Sequence, residues 1–164
     1  MRQKICYFLD FHHILIDFLR DSSEIFEKII EEPKIGQNDR VLFIKIYKKI
    51  FKWLKYFVKD NTHNQDKLNH NINQFLFQIE LDLGQIDLIC EIYKNNQSLC
   101  ENVKSDLLFE FIGFIEKIGR REIFLRFFEI LQVMKKKQHS KIIKIFECFY
   151  FYFVKEVYYL SNSS

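Results

Sequence analysis

From Phe43 to Val58 the apolar residues return every three or four positions, as Phe43, Ile46, Tyr47, Ile50, Leu54, Phe57 and Val58. A helix with that spacing gathers them on one face. Lys45, Lys48, Lys49, Lys52, Lys55 and Lys59 repeat on the other. The same period predicts helices near residues 3–20, 22–32, 39–59, 64–80, 84–94, 105–118, 121–136 and 139–160. Their ends carry signals of their own. Asp21 and Glu24 have the spacing of a capping box for the second helix, which Pro33 and Gly36 then stop. Asn61-Thr62 closes the third and offers an N-cap to the fourth. Asn95-Asn96 stops the run that ends in Ile92 and Tyr93. Ser105 caps the run holding Leu108, Phe111, Ile112 and Ile115, and Gly119 ends it. Ile123, Phe127, Ile130, Leu131 and Met134 form a further stripe.

Short linkers between such helices force antiparallel neighbours. The expected fold is therefore all-α, an armadillo-like stack of antiparallel helical hairpins of the α-solenoid kind. Composition agrees. Only 4 Gly and 1 Pro occur in 164 residues, and both residue types are excluded from helix interiors. The chain also has 19 Phe and no Ala, the signature of an AT-rich coding bias. Aromatic and β-branched content is then a poor guide to strands, and periodicity decides.

Ile142–Leu160 is apolar enough to invite a membrane reading, yet it contains Lys144, Glu147, Lys155 and Glu156. A central charge costs roughly 2.5–3.5 kcal/mol in a bilayer, against about 0.3–0.6 returned by each Ile or Phe. The charges win, and no transmembrane segment is expected in this chain. Arg2 and Lys4 precede an apolar stretch broken by Asp10 and His12-His13, so a signal peptide is not expected either. Cys6, Cys90, Cys100 and Cys148 are scattered without a paired spacing and read as reduced residues of a cytoplasmic protein.

Little in the chain suggests chemistry. Asp10, His13 and Asp17 share a helical face and have the residue types to orient an imidazole or hold part of a metal site, but no second cluster completes them. They read as a solvated polar face. His63 and His70 lie in an amide-rich stretch of the kind that is usually exposed. Cys148 sits among Phe146, Phe149 and Phe151, where apolar surroundings raise a thiol pKa and oppose nucleophilic use. No hydrolase, zincin or nucleotide-loop motif is present. Neither catalysis, a metal nor a cofactor is expected. A net charge of +3 is too small to argue for nucleic acid. The lysine row is the strongest charge feature; such rows are ordinarily solvated faces, and Asp and Glu are nearly absent from this one, so it is not neutralised along its own helix. It suits an acidic partner such as calmodulin, anionic lipid or phosphate.

Four colinear segments resemble a known family. They are RQKICYFLDFHHILIDFL from Arg2, IKIYKKIFKWLKYFVKDNTHNQ from Ile44, EIYKNNQSLCENV from Glu91 and DLLFEFIGFIEKIGRREIFLRFFEILQV from Asp106. Together they are similar to the RIH domain, the armadillo-type helical domain of inositol trisphosphate and ryanodine receptors. The resemblance divides the chain into an RIH-like domain over 1–138 and a C-terminal aromatic helix with a polar tail over 139–164. It implies a non-catalytic cytosolic module of a calcium-release channel, on the cytosolic face of an endoplasmic-reticulum-type membrane. Such a module transmits conformational change or contacts other channel domains. The alternative is a free-standing armadillo-like scaffold that binds an acidic partner through Lys45, Lys48, Lys49, Lys52, Lys55 and Lys59.

In the receptors that bind inositol trisphosphate, the family's phosphate contacts are an Arg, a Lys and an Arg on the RQK-headed helix, with a Tyr and a Lys before the Asn-Gln pair. Here only Lys4 matches. Tyr7 replaces the second Arg, Asn61 and His63 replace the Tyr and Lys, and the first Arg would fall before Met1. Highly charged phosphates need several charge-assisted bonds at once, so inositol trisphosphate binding is not expected.

Overall fold

A computed structural model describes residues 10–32, 37–119 and 122–135. Among these, every regular element is helical: α1 (Phe11–Asp21), α2 (Ser23–Glu31), α3 (Gln37–Val58), α4 (Thr62–Asn69), α5 (Ile72–Phe75), a 3-10 turn (Ile79–Leu81), α6 (Gln85–Tyr93), α7 (Gln97–Glu101), α8 (Ser105–Ile118) and α9 (Glu122–Lys135). The chain divides into two compact units, one ending at Asn96 and one beginning at Gln97. The helix expected over 139–160, its Cys148, the Pro33–Gly36 stop and the boundary at residue 138 lie outside the described residues.

In the first unit α3 is the organising element. Its buried face is Tyr47, Ile50, Phe51, Leu54, Phe57 and Val58, close to the stripe that the sequence predicts. Ile46 and Phe43 are only half-buried, although Phe43 still stacks on Phe26 at 6.3 Å. Helices α1, α2, α4 and α6 all pack on α3. Phe26 of α2 lies face to face with Tyr47, ring centroids 4.2 Å apart. At the start of α6, Gly84 takes φ 101°, and a Cβ there would stand 3.5 Å from the Cβ of Phe51. The Phe51 contact is an ordinary one, so it is the backbone conformation that would strain a side chain at that position.

Three expected boundaries are corrected. Asp21 caps nothing: it is the last residue of α1, and Ser22 joins α1 to α2 in a helical conformation without a side-chain cap. The Ser22 hydroxyl is committed instead to the Phe18 carbonyl and to the Tyr47 hydroxyl, 2.8 Å away. Lys104, in an extended conformation, precedes α8, so Ser105 is the first helical residue rather than its cap.

The third correction is larger. The single helix expected over 64–80 is broken into α4, α5 and the 3-10 turn, with Gln78 and Asp82 in the left-handed region at φ 51° and 50°. A later side chain makes the break tolerable. Gln85 donates to the carbonyls of Phe77 and Gln78, each at 3.1 Å, and accepts from the Leu83 amide at 2.7 Å. Backbone groups that lose helical partners thereby find new ones. Helix α7, one turn long, was not expected from the sequence at all.

In the second unit α8 and α9 meet through phenylalanines. Phe111 is fully buried, stacked on Phe127 at 4.2 Å and set edge-on to Phe124 at 6.1 Å. Ile115, Phe128 and Leu131 complete this core. Gly119 ends α8 as expected, at φ 94° with its amide on the Ile115 carbonyl at 3.0 Å.

Candidate functional site

The most heavily constrained polar group in the first unit is a set of amide side chains at the corner between α3 and α4. Asn61 caps α4 as predicted, its carboxamide oxygen accepting from the Asn64 amide at 3.2 Å. The Asn64 side chain turns inward and donates to the Phe57 carbonyl at 2.7 Å, near the C-terminus of α3. Gln65 points across to α6. Its Nε2 donates to the Glu91 carbonyl at 2.9 Å and the Lys94 carbonyl at 3.0 Å. Those carbonyls belong to the last turn of α6 and to its C-cap Lys94, where intrahelical donors run out. Asn96 closes the ring, its Nδ2 donating to Gln65 Oε1 at 3.1 Å and to Asp66 Oδ1 at 3.0 Å. Asn64, Gln65 and Asn96 are all buried. The sequence expectation of an exposed amide-rich stretch is therefore wrong for Asn64 and Gln65, although His63 and His70 are exposed. Asparagine and glutamine look alike in composition whether they face water or satisfy a helix end. Their repeated placement beside predicted helix termini was the available signal.

A further amide contact lies at α5, where half-buried Gln74 donates through Nε2 to the Ile16 carbonyl of α1 at 2.7 Å. Buried amides thus tie α4 to α3 and α6, and a half-buried one ties α5 to α1. A network in which each member is satisfied specifies one arrangement of helices.

Asp10 and His13 are exposed and Asp17 is half-buried, in keeping with the polar face that the sequence suggests. Asp17 pairs with Arg20 at 2.7 Å on the surface. The residues brought together are Asp10, His12 and His13, with one donor atom from each within 4.8 Å of the others. His12 is the residue that the sequence reading overlooked: it is 1% exposed and its ring stacks on Phe57 at 4.8 Å. The two imidazoles lie 4.1 Å apart, tilted by 41°. Burial, then the neighbouring charges of His13 and Lys67, lower the His12 pKa from 6.5 to about 4, against a small opposing pull from Asp10. The folded chain thus keeps neutral an imidazole that the unfolded chain protonates between those values. Its contribution to stability is complete above pH 6.5 and is lost as pH falls toward 4. The loss amounts to about 3 kcal/mol. Urea melts at several pH values should show it, and His12→Phe should flatten the dependence over that window.

On α3, Lys45, Lys48, Lys49, Lys52 and Lys59 are exposed. Lys55 is not part of the open row. It is partly buried at the flank and bonds Asp87 of α6 at 3.1 Å, so neutralisation comes from a neighbouring helix rather than from α3 itself. Lys4 and Tyr7 lie outside the described residues. Of the two positions that replace the family's Tyr and Lys, Asn61 is occupied as a helix cap and His63 faces outward.

The described part is thus a helical module held by buried amide bonds and an aromatic core. The model of the RIH domain matches residues 2–142, and the chain belongs to that family. It is also 25% identical, over 121 residues, to the inositol 1,4,5-trisphosphate receptor itr-1 of Caenorhabditis elegans, a match covering 70% of this chain and 4% of the receptor. The chain therefore spans a small fraction of that relative's length. No solved structure matches it. No helix among the described residues is long and apolar enough to cross a membrane.

Proposed function

We propose that this chain is a non-catalytic module of an intracellular calcium-release channel, working at the cytosolic face of the membrane as a body that passes small displacements between other domains of the assembly. Its helices would form an armadillo-like stack of hairpins over 1–138, with 139–164 as an added aromatic helix and tail. The observation that carries this reading is the amide ring of Asn64, Gln65 and Asn96. A module that transmits displacement must move its helices together, and coupling of this kind runs through packed, hydrogen-bonded elements with discrete arrangements. Gln65 fastens α4 to the end of α6, and Asn64 fastens it to the end of α3.

The family's ligand role does not accompany this one. Lys4 alone retains a phosphate-contact residue type, and Asn61 and His63 present no fixed cation to a highly charged phosphate. Calorimetric titration of the chain with inositol trisphosphate should give no saturable heat; micromolar or tighter binding would contradict the exclusion. The channel assignment itself is tested by the full-length transcript. It should encode further cytosolic helical segments and a pore. A transcript without pore segments would overturn the assignment and leave a free-standing scaffold.

A further inference from the structure

We propose that the outward face of α3 is a docking surface for an acidic amphipathic helix. Lys45, Lys48, Lys49 and Lys52 are exposed on it. Their spacings of three and four place them in one band along the helix. From Val41 to Lys59 there is no Asp or Glu. Among the described residues none of the four has a carboxylate in ion-pairing range, whereas Lys55 at the flank is already matched by Asp87. Like charges at these spacings repel one another across the helix surface. A facing row of carboxylates relieves that repulsion.

The ends of the band are apolar. Val41 and Leu42 are exposed before the lysines and Tyr56 after them. Val41 to Tyr56 spans about 22 Å of helix, so the band accommodates a partner helix of about four turns. Carboxylates at i, i+4, i+7 and i+11 would run along the lysines, with an apolar residue at each end to rest on Val41 and Tyr56. Charge complementarity would set its orientation and speed its association. A lipid surface fits less well. Membrane-bound amphipathic helices insert an apolar face, and the apolar face of α3 is spent on Tyr47, Ile50, Phe51 and Leu54 in the core. This surface is independent of the proposed transmission role, since the amide ring lies at the far end of α3 and none of the four lysines takes part in it.

The test is fluorescence anisotropy with a labelled synthetic helix of about four turns, carrying glutamates at the stated spacing and a leucine at each end, titrated with the full chain. Saturable micromolar binding is expected, weakening as salt rises. Lys45→Glu with Lys49→Glu should weaken it by about tenfold or more, as should Lys45→Gln with Lys49→Gln, while Lys104→Glu in the second unit should leave it unchanged. Unchanged circular dichroism of the lysine variants would show that the fold persists. The proposal fails if no saturable binding occurs, if a scrambled peptide of equal charge binds as tightly, or if the lysine variants bind normally. It also fails if the chain binds phosphatidylserine vesicles but not the peptide. None of these outcomes bears on the channel assignment, which the transcript decides.

Discussion

Gln65→Glu should destabilise the first unit by about 4 kcal/mol, a large share of the 5–15 kcal/mol that holds a typical domain together. The substitution scarcely changes shape. It replaces the Nε2 that donates to the Glu91 and Lys94 carbonyls with an oxygen facing those same oxygens. Two donated bonds become two repulsive contacts, and a carboxylate is left in a buried position without a cation in the ring. Gln65→Leu removes the bonds without adding charge and should cost about 3 kcal/mol, because the carbonyls of the last α6 turn stay buried and unsatisfied. Asn96→Ala should cost less, about 1–2 kcal/mol. Combined with Gln65→Leu it should cost less than the sum, since the two side chains share a hydrogen bond. A pH signature separates this mechanism from simple misfit. Protonating the introduced Glu restores one donor, so the deficit of Gln65→Glu relative to the parent chain should narrow as pH falls. Urea melts followed by far-ultraviolet circular dichroism measure all of these differences.

Phe111→Ala should cost the second unit about 4 kcal/mol. The ring is fully buried and touches three phenylalanines of α9, stacked on Phe127 and edge-on to Phe124 and Phe128. Removing it takes the transfer energy of the ring and the interaction of each aromatic pair, and leaves a cavity bounded by rigid rings that collapse poorly. Phe109→Ala, two residues earlier on the exposed face of the same helix, should stay within about 0.5 kcal/mol of the parent. The contrast controls for helix propensity, because both substitutions introduce the same residue into α8.

The apolar half of the fold was readable because it is local. The α3 and α8 stripes and the Gly119 stop follow from periodicity and one backbone rule, whereas on α9 the expected stripe holds at Phe127 and Leu131, Ile130 is half-buried, and Phe124 and Phe128 are buried outside it. Ile50, Leu54, Phe111, Ile115, Phe127 and Leu131 are buried as that periodicity implies, while Ile46 is only half-buried. The polar half was not readable in the same way. The break at Phe77 and Gln78 is accommodated by Gln85, which donates to their carbonyls from beyond the break, and no window over residues 64–80 contains that information. The Asn-Gln pair matched the family's pattern, but the reason for the pair emerged only when Gln65 was seen at the α6 terminus. His12 was passed over for His13 because helical spacing aligned His13 with two acids. The burial of His12 against Phe57 depends on a helix more than forty residues away in sequence.

The central claim is that the amide ring makes α3, α4 and α6 move as one body. Native-state hydrogen exchange, read amide by amide, tests it most directly. The amides of α4 and of the last turn of α6 should open together with one free energy in the parent chain, and Gln65→Glu should lower the protection of both by the same amount. Exchange of α4 that is much faster than that of α6 in the parent chain, or protection left unchanged by Gln65→Glu, would contradict the account.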